Sequence, residues 1–153
     1  MGELKNVVEV KVPIAASFSW SVGKYMDRYI KELKNKKLFG VKCPNCGCVY
    51  LPPRMICGRC FTKIEEWVEV SDEGTVESFT VAQVKLDRGE GGLKELEEPE
   101  IIGLIKHDGT DSCLVHRLGE VKPEDVKIGM KVQAVWTDEP NGELGDLKYY
   151  KPI

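Results

Sequence analysis

The pattern of apolar and polar positions divides the chain into an early helical part and a later part made of short strands. After residue 16, apolar residues recur at the three- and four-residue spacing of a helix, with lysine, arginine and aspartate between them. We expect an amphipathic helix of about 20 residues that begins near Ser17 and ends at Gly40. Its apolar stripe consists of Phe18, Trp20, Val22, Tyr25, Met26, Tyr29, Ile30 and Leu33.

Further along the chain, strand-like runs are separated by segments rich in turn formers, which read SDEG, HDGT, KPEDVKIG and DEPNGE. This alternation is typical of a small closed or partly open β-barrel. Between two of the runs, residues 85–100 are too long, charged and rich in glycine for a tight hairpin, and we expect a long loop there. The predicted strands are 66–70, 75–84, 101–106, 112–118, 130–137 and 144–150.

The aromatic stripe of the helix has two alternative uses. Such a face usually packs on the chain's own core. A helix placed before a small module has little core to cover, however, and the stripe could instead dock on another protein. For the second alternative, the candidate interface residues are Trp20, Tyr25 and Tyr29. Residues 1–16 contain Pro13 and alternate weakly, which favours an extended arm.

Composition limits the class of protein. Hydrophobic residues make up 42% of the 153 residues and charged residues 31%, as in ordinary globular proteins. No apolar run approaches the roughly 20 residues that span a bilayer, so we do not expect a membrane protein. The first residues do not resemble a signal peptide, and the expected location is the cytoplasm.

Charge is distributed unevenly. Residues 23–65 contain ten Lys or Arg and three acids, a balance of +7, whereas the remainder carries −10 of the total of −3. The basic part could face an anionic group, or it could be a solvated helix face. The acidic remainder argues against a general nucleic-acid binder, whose phosphate contacts need a basic surface.

The chemistry in the sequence is concentrated in its cysteines. In CPNCGCVYLPPRMICGRC, two C-x-x-C pairs are separated by ten residues. Each pair can form a tight turn that directs two sulfurs at one point, and two facing turns form a tetrahedral cage for zinc. We therefore predict one structural zinc ion per chain on Cys43, Cys46, Cys57 and Cys60. The same cage also accepts iron, so a redox-active electron carrier is an alternative.

No convincing catalytic set is present in the sequence. Cys113 precedes His116 by three residues, but residues at this spacing on a strand lie on opposite faces. We expect a buried or half-buried thiol and an unrelated exposed histidine. Cys48 lies two residues beyond Cys46 and is expected to point away from the metal site. We do not expect the chain to be a complete catalyst.

The order of these segments resembles a known family. A helix is followed by the two cysteine pairs with PPR at 52–54, then by GTVESFTV at 74–81 and PEDVKIGMKV at 123–132. This order is similar to acyl-CoA-associated proteins that join a rubredoxin-like zinc ribbon to an OB-fold, and the resemblance runs from about residue 20 to the end. It implies a mainly β fold with an N-terminal helix: arm and helix (1–40), ribbon (41–65) and OB-fold barrel (66–153).

The resemblance also implies a role. Family members are non-catalytic partners of thiolase-fold enzymes, in which they hold the complex together and help to form the site for a CoA thioester. Lys36, Lys37 and Arg54 are then candidates for contacts with the CoA phosphates, because lysine and arginine bind phosphate well. An alternative of a different class is a free-standing OB-fold binder of single-stranded nucleic acid.

Overall fold

The computed structural model describes Ser19, residues 21–86 and residues 92–153. The predicted arm (1–16) and Trp20 lie outside this part of the chain. The described residues form one α-helix and eight strands, together with 3₁₀ turns at Pro123–Asp125 and Leu144–Asp146. No helix among them is long and apolar enough to span a bilayer. The elements are α1 (Gly23–Leu33), β1 (Leu38–Lys42), β2 (Val49–Tyr50), β3 (Glu66–Val70), β4 (Glu73–Leu86), β5 (Leu93–His107), β6 (Cys113–Leu118), β7 (Lys131–Trp136) and β8 (Leu147–Pro152).

Helix α1 is shorter than its apolar pattern predicts, with 11 residues, and its predicted end at Gly40 is wrong. The helix ends at Leu33 and is followed by a turn at residues 34–36, in which Lys36 has a φ of 55°, in the left-handed region that is common after helices. Gly40 lies inside β1, where an added Cβ would stand 2.8 Å from the Tyr50 carbonyl oxygen. This glycine therefore permits close approach of two strands.

The first sheet contains three antiparallel strands in the order β2-β1-β3. Strand β3, which we predicted as part of the barrel, pairs instead with β1 along its whole length, from Leu38 opposite Val70 to Lys42 opposite Glu66. The alternation along a strand shows which residues face a core but not which strand lies beside it. The division of the chain at residues 40 and 65 remains a prediction.

The second sheet is a closed barrel in the order β4-β5-β6-β8-β7, with β7 returning to β4. Neighbouring strands are antiparallel except β6 and β8, which meet in parallel at Leu118 and Tyr150. The fold class, a zinc ribbon followed by an OB-fold barrel in a mainly β chain, is confirmed. The barrel interior is filled by fully buried side chains that include Val76, Ile105, Val132 and Tyr150.

Within the segment that we predicted as a loop, 85–100, the residues that the structure describes are mostly strand. Strands β4 and β5 continue pairing beyond the barrel as a two-stranded arm, with Val84 opposite Glu95 and Leu86 opposite Leu93. A register shift between Ala82 and Val84 separates this arm from the barrel. The side chains of this two-stranded extension of β4 and β5 are mostly exposed. Because neither face is buried, the sequence here lacks the alternation of apolar and polar residues that predicts a half-buried strand.

Four hydrogen bonds join the ribbon to the barrel. The Asp111 N–H donates to the Val49 carbonyl oxygen at 2.8 Å, and the Val49 N–H donates to the Asp111 carboxylate at 2.9 Å. Ser112 makes a second pair with Leu51, accepting from its N–H at 2.8 Å and donating to its carbonyl at 2.9 Å. Leu51 is fully buried within the main hydrophobic core. The ribbon and barrel are thus held as one unit.

Helix α1 packs its stripe on the protein's own core. Tyr29 and Leu33 are buried in the main core, and burial raises the pKa of the Tyr29 hydroxyl to about 12. One helical turn earlier, Tyr25 donates its hydroxyl hydrogen to the Ile64 carbonyl and stacks on Trp67 at 5.5 Å between ring centroids. Tyr29, which we predicted as a candidate interface residue, is 3% exposed and therefore belongs to the core.

We predict that Tyr29→Ala lowers the free energy of unfolding by about 3–5 kcal/mol, since it leaves a cavity where a large aromatic side chain is buried. The effect is measured as a shift of the urea unfolding midpoint. Lys31→Ala on the exposed face of the same helix is the control, because its ion pair with Asp27 is solvated and contributes little. Equal midpoints for the two variants would contradict the core assignment.

Candidate metal centre

Two tight turns with the same hydrogen-bond pattern carry the four predicted ligands. In the first, the Cys43 N–H donates to the Cys48 carbonyl at 2.8 Å and the Gly47 N–H donates to the Cys43 carbonyl at 3.0 Å. In the second turn, the Cys57 N–H donates to the Thr62 carbonyl at 2.9 Å and the Phe61 N–H to the Cys57 carbonyl at 3.1 Å. The two turns are therefore equivalent zinc knuckles that face each other.

The four sulfur atoms form one cluster. All the Sγ atoms of Cys43, Cys46, Cys57 and Cys60 lie within 4.8 Å of one another. The Cys43–Cys60 and Cys46–Cys57 separations are 3.4 Å and 3.5 Å. A tetrahedral zinc ion with Zn–S bonds of about 2.3 Å requires separations of about 3.8 Å. The donor set fits zinc in a closed four-sulfur site, with two sulfurs buried and two half-buried.

Hydrogen bonds favour the thiolate form, which binds metal, at two of the four ligands, Cys57 and Cys60. At Cys46, a backbone hydrogen bond from Cys48 is outweighed by burial and by the neighbouring sulfurs, which raise the pKa of that thiol. The Tyr50 hydroxyl lies 3.2 Å from the Cys57 sulfur and lowers the pKa of that thiol, and the Arg59 N–H lies 3.4 Å from the same atom. The Thr62 hydroxyl, 3.3 Å from the Cys60 sulfur, lowers the pKa of Cys60 to about 5. No sequence pattern predicts the contacts of Tyr50 and Thr62 with the ligand sulfurs. Thr62 occupies the position in the second knuckle that is equivalent to Cys48 in the first.

The remaining cysteines lie outside this cluster. Cys48 is buried, with its sulfur 4.0 Å from an Arg59 guanidinium nitrogen, and Cys113 is half-buried on β6. Inward and outward positions alternate along β6, so Cys113 and His116 face opposite ways as expected. His116 is half-buried rather than exposed, because its ring packs edge-on against the Tyr150 ring at 5.5 Å.

His107 is the second structural histidine of the barrel. Its Nδ1–H donates to the Ser71 carbonyl at 2.7 Å, which leaves Nε2 to accept from the Tyr150 hydroxyl at 3.1 Å. Burial lowers the pKa of His107, so the neutral form is favoured. No local pattern in the sequence predicts this pair, because Tyr150 lies 43 residues further along the chain. Both ring nitrogens of His107 are committed to structure.

The candidate phosphate-binding residues are exposed, on the ribbon and on the segment that connects α1 to β1. Lys36 and Lys37 follow α1, and the Lys37 amine pairs with the Glu69 carboxylate at 2.8 Å. Arg54 follows β2 and places its guanidinium 4.4 Å above the centre of the Tyr50 ring. The cations are accessible, and one already has a carboxylate partner.

The fold and the cysteine cluster define the class of protein as a zinc ribbon joined to an OB-fold barrel. Residues 31–65 match the family described as "ChsH2, rubredoxin-like zinc ribbon domain". Residues 67–137 match the one described as "ChsH2, C-terminal OB-fold domain". Both halves of the architecture are thus shared with known proteins.

The chain belongs to the DUF35 family. It is 36% identical to a DUF35 domain-containing scaffold protein of Methanocaldococcus jannaschii, over 82% of this chain and 87% of that protein. A protein of the same description from Methanothermobacter thermautotrophicus is 28% identical over 82% of this chain and 92% of that protein's length.

Solved structures show the same architecture. A DUF35 protein of unknown function from Sulfolobus solfataricus has a TM-score of 0.63 at 29% identity, covering 86% of this chain and 87% of its own. A structure described as an Ltp2-ChsH2(DUF35) aldolase has a TM-score of 0.63 at 21% identity. It covers 88% of this chain and 98% of that chain, and it shows a shared fold.

We predict that Cys57→Ser reduces bound zinc from about one ion per chain to near zero and unfolds the ribbon, because structural zinc supplies roughly 10–16 kcal/mol of binding free energy in small zinc-finger peptides. Metal analysis by mass spectrometry and thermal unfolding measure the two effects. Cys113→Ser, outside the cluster, is the matched control and keeps its zinc. Equal zinc contents in both variants would rule out the four-sulfur assignment.

Proposed function

We propose that this protein is a non-catalytic scaffold subunit of an acyl-CoA thiolase complex. The observation that carries the proposal is a ribbon with a closed four-sulfur cluster, joined to the barrel as one unit. Four sulfur ligands leave no open position on a metal for substrate, which is the arrangement of structural rather than catalytic zinc. In this proposal Cys43, Cys46, Cys57 and Cys60 bind the ion, and the chain contributes surface and shape to its partner.

The family relationship supports a partner enzyme. The relatives in M. jannaschii and M. thermautotrophicus are called scaffold proteins, and the aldolase structure pairs a DUF35 chain with Ltp2. The names of these relatives support a partner enzyme in general. The proposal of a thiolase-fold partner is more specific and is based on the sequence resemblance. The thiolase would supply the nucleophilic cysteine and the acid–base group, and the complex would act in the cytoplasm.

We further propose that the complex binds its CoA thioester close to the basic part of this chain. Lys36, Lys37 and Arg54 are exposed cations that can reach a phosphate group. Within the family, the sequence also resembles the zinc-ribbon subunit of the thiolase that cleaves oxobenzylsuccinyl-CoA in anaerobic toluene degradation. That thioester is therefore the first substrate to test.

The proposal is tested by affinity purification of the tagged full-length chain from its native cells. We expect a thiolase-fold subunit in fixed molar ratio, identified by mass spectrometry, together with about one zinc ion per chain. Thiolase activity should reside in the complex and in no preparation of this chain alone. Co-purification with nucleic acid would favour the alternative of an OB-fold nucleic-acid binder. A coloured protein that contains iron would favour the alternative of an electron carrier.

The CoA contacts are tested by kinetics of the reconstituted complex. We predict that Lys36→Gln with Lys37→Gln raises KM for the CoA thioester severalfold and changes kcat little, because the two ammonium groups would attract phosphate without touching the reacting atoms. Lys122→Gln with Lys127→Gln removes two exposed charges from the barrel and is the control. An unchanged KM in the first variant would show that Lys36 and Lys37 are solvated surface residues that do not contact the CoA thioester.

A further inference from the structure

The two zinc knuckles have different residues at the position that follows their second cysteine, Gly47 in the first and Phe61 in the second. In each knuckle, the residue after the second cysteine has a left-handed backbone, with φ of 74° at Gly47 and 59° at Phe61. Glycine adopts this conformation freely, whereas a bulky side chain there is a genuine outlier. The same chain thus contains the unstrained residue in one knuckle and an aromatic residue at the equivalent position of the other.

Phe61 gains nothing from packing that offsets this strain. Its side chain is 79% exposed, so a large apolar surface is left in water. The same hairpin exposes two more apolar side chains, Met55 at 48% and Ile56 at 41%. The hairpin is held by the zinc knuckle, by pairing of Ile56 with Lys63 and by the hydrogen bond from the Ile64 N–H to the Met55 carbonyl. We call Met55, Ile56 and Phe61 the knuckle surface.

We propose that Phe61 is an anchor residue that inserts into an apolar pocket of the partner enzyme, with Met55 and Ile56 packing beside it. This inference rests on the proposed function and locates one contact surface of the complex. An aromatic side chain held on a rigid hairpin loses little conformational entropy on binding, which is the usual property of a binding hot spot. Backbone strain combined with exposure commonly marks a site of function.

Charge indicates the kind of pocket. Arg54 and Arg59 are exposed cations of this hairpin, whereas the Lys63 amine pairs with the Glu65 carboxylate. A pocket that is apolar inside and bears carboxylates at its rim is complementary to this surface. A nucleic acid is disfavoured, because residues 66–153 carry a net charge of −10 and would repel a phosphate backbone that extends past the knuckle.

The test uses the full-length zinc-loaded chain and the recombinant thiolase-fold subunit identified by co-purification. We expect Phe61→Gly to keep its zinc and to unfold at an equal or higher temperature, because glycine relieves the left-handed strain. Its affinity for the thiolase subunit, measured by titration calorimetry, should nevertheless fall at least tenfold. Phe61→Tyr should bind within about threefold of the wild type, and Ile128→Ser, an exposed apolar residue of the barrel, is the matched control.

Each of the following results would contradict the inference. Equal binding by Phe61→Gly and the wild type would remove Phe61 as an anchor and leave the proposed function intact, whereas a wild type that fails to bind the thiolase subunit would end both. Loss of zinc or of stability in Phe61→Gly would show that the residue has a structural role.

A second experiment places the photo-crosslinking residue p-benzoylphenylalanine at position 61, where it should label the thiolase subunit. Labelling of a second copy, of this chain's own N-terminal segment or of an added oligonucleotide would assign a different occupant.

Discussion

The ribbon requires its four-sulfur cluster in order to fold. The ribbon sheet consists of strands of two to five residues, and its own core is a small set of side chains around Val41, Tyr50 and Ile64. So small a core buries too little apolar surface to offset the conformational entropy of ordering the chain. A metal ion on four thiolates supplies that free energy, and the Tyr50 and Thr62 hydroxyls assist by favouring the thiolate form.

The ribbon then acts on the barrel through a short, defined joint. Leu51 comes directly after β2 and lies in the main core, while Asp111 and Ser112 bind the backbone on either side of it. Helix α1 makes a second bridge, since Tyr25 contacts the ribbon and Tyr29 the main core. Two connections at different points prevent rotation about either one. The orientation of the knuckles relative to the barrel is thereby set, as a scaffold requires.

Several of the described cysteine and histidine side chains are engaged in structure, although the Nδ1 atom of His116 is buried without a hydrogen-bond partner. Four cysteines form the cluster, and both nitrogens of His107 are hydrogen-bonded within the fold. The features left exposed are surfaces: the basic residues after α1, the two-stranded arm of β4 and β5, and the hairpin that carries Phe61. These exposed surfaces are where the proposed scaffold role would place contacts with a partner.

The features that depend on local spacing could be predicted from the sequence. Two C-x-x-C pairs ten residues apart predict a metal cage, and turn formers between apolar runs predict a barrel, because both signals are contained in short windows. Tertiary structure alone decided the partner of β3, the end of α1 before Gly40, the burial of Tyr29 and the pairing of His107 with Tyr150. Each of these depends on residues far apart in the chain. Phe61 shows the same limit, since its strain is visible only once both knuckles are folded and can be compared.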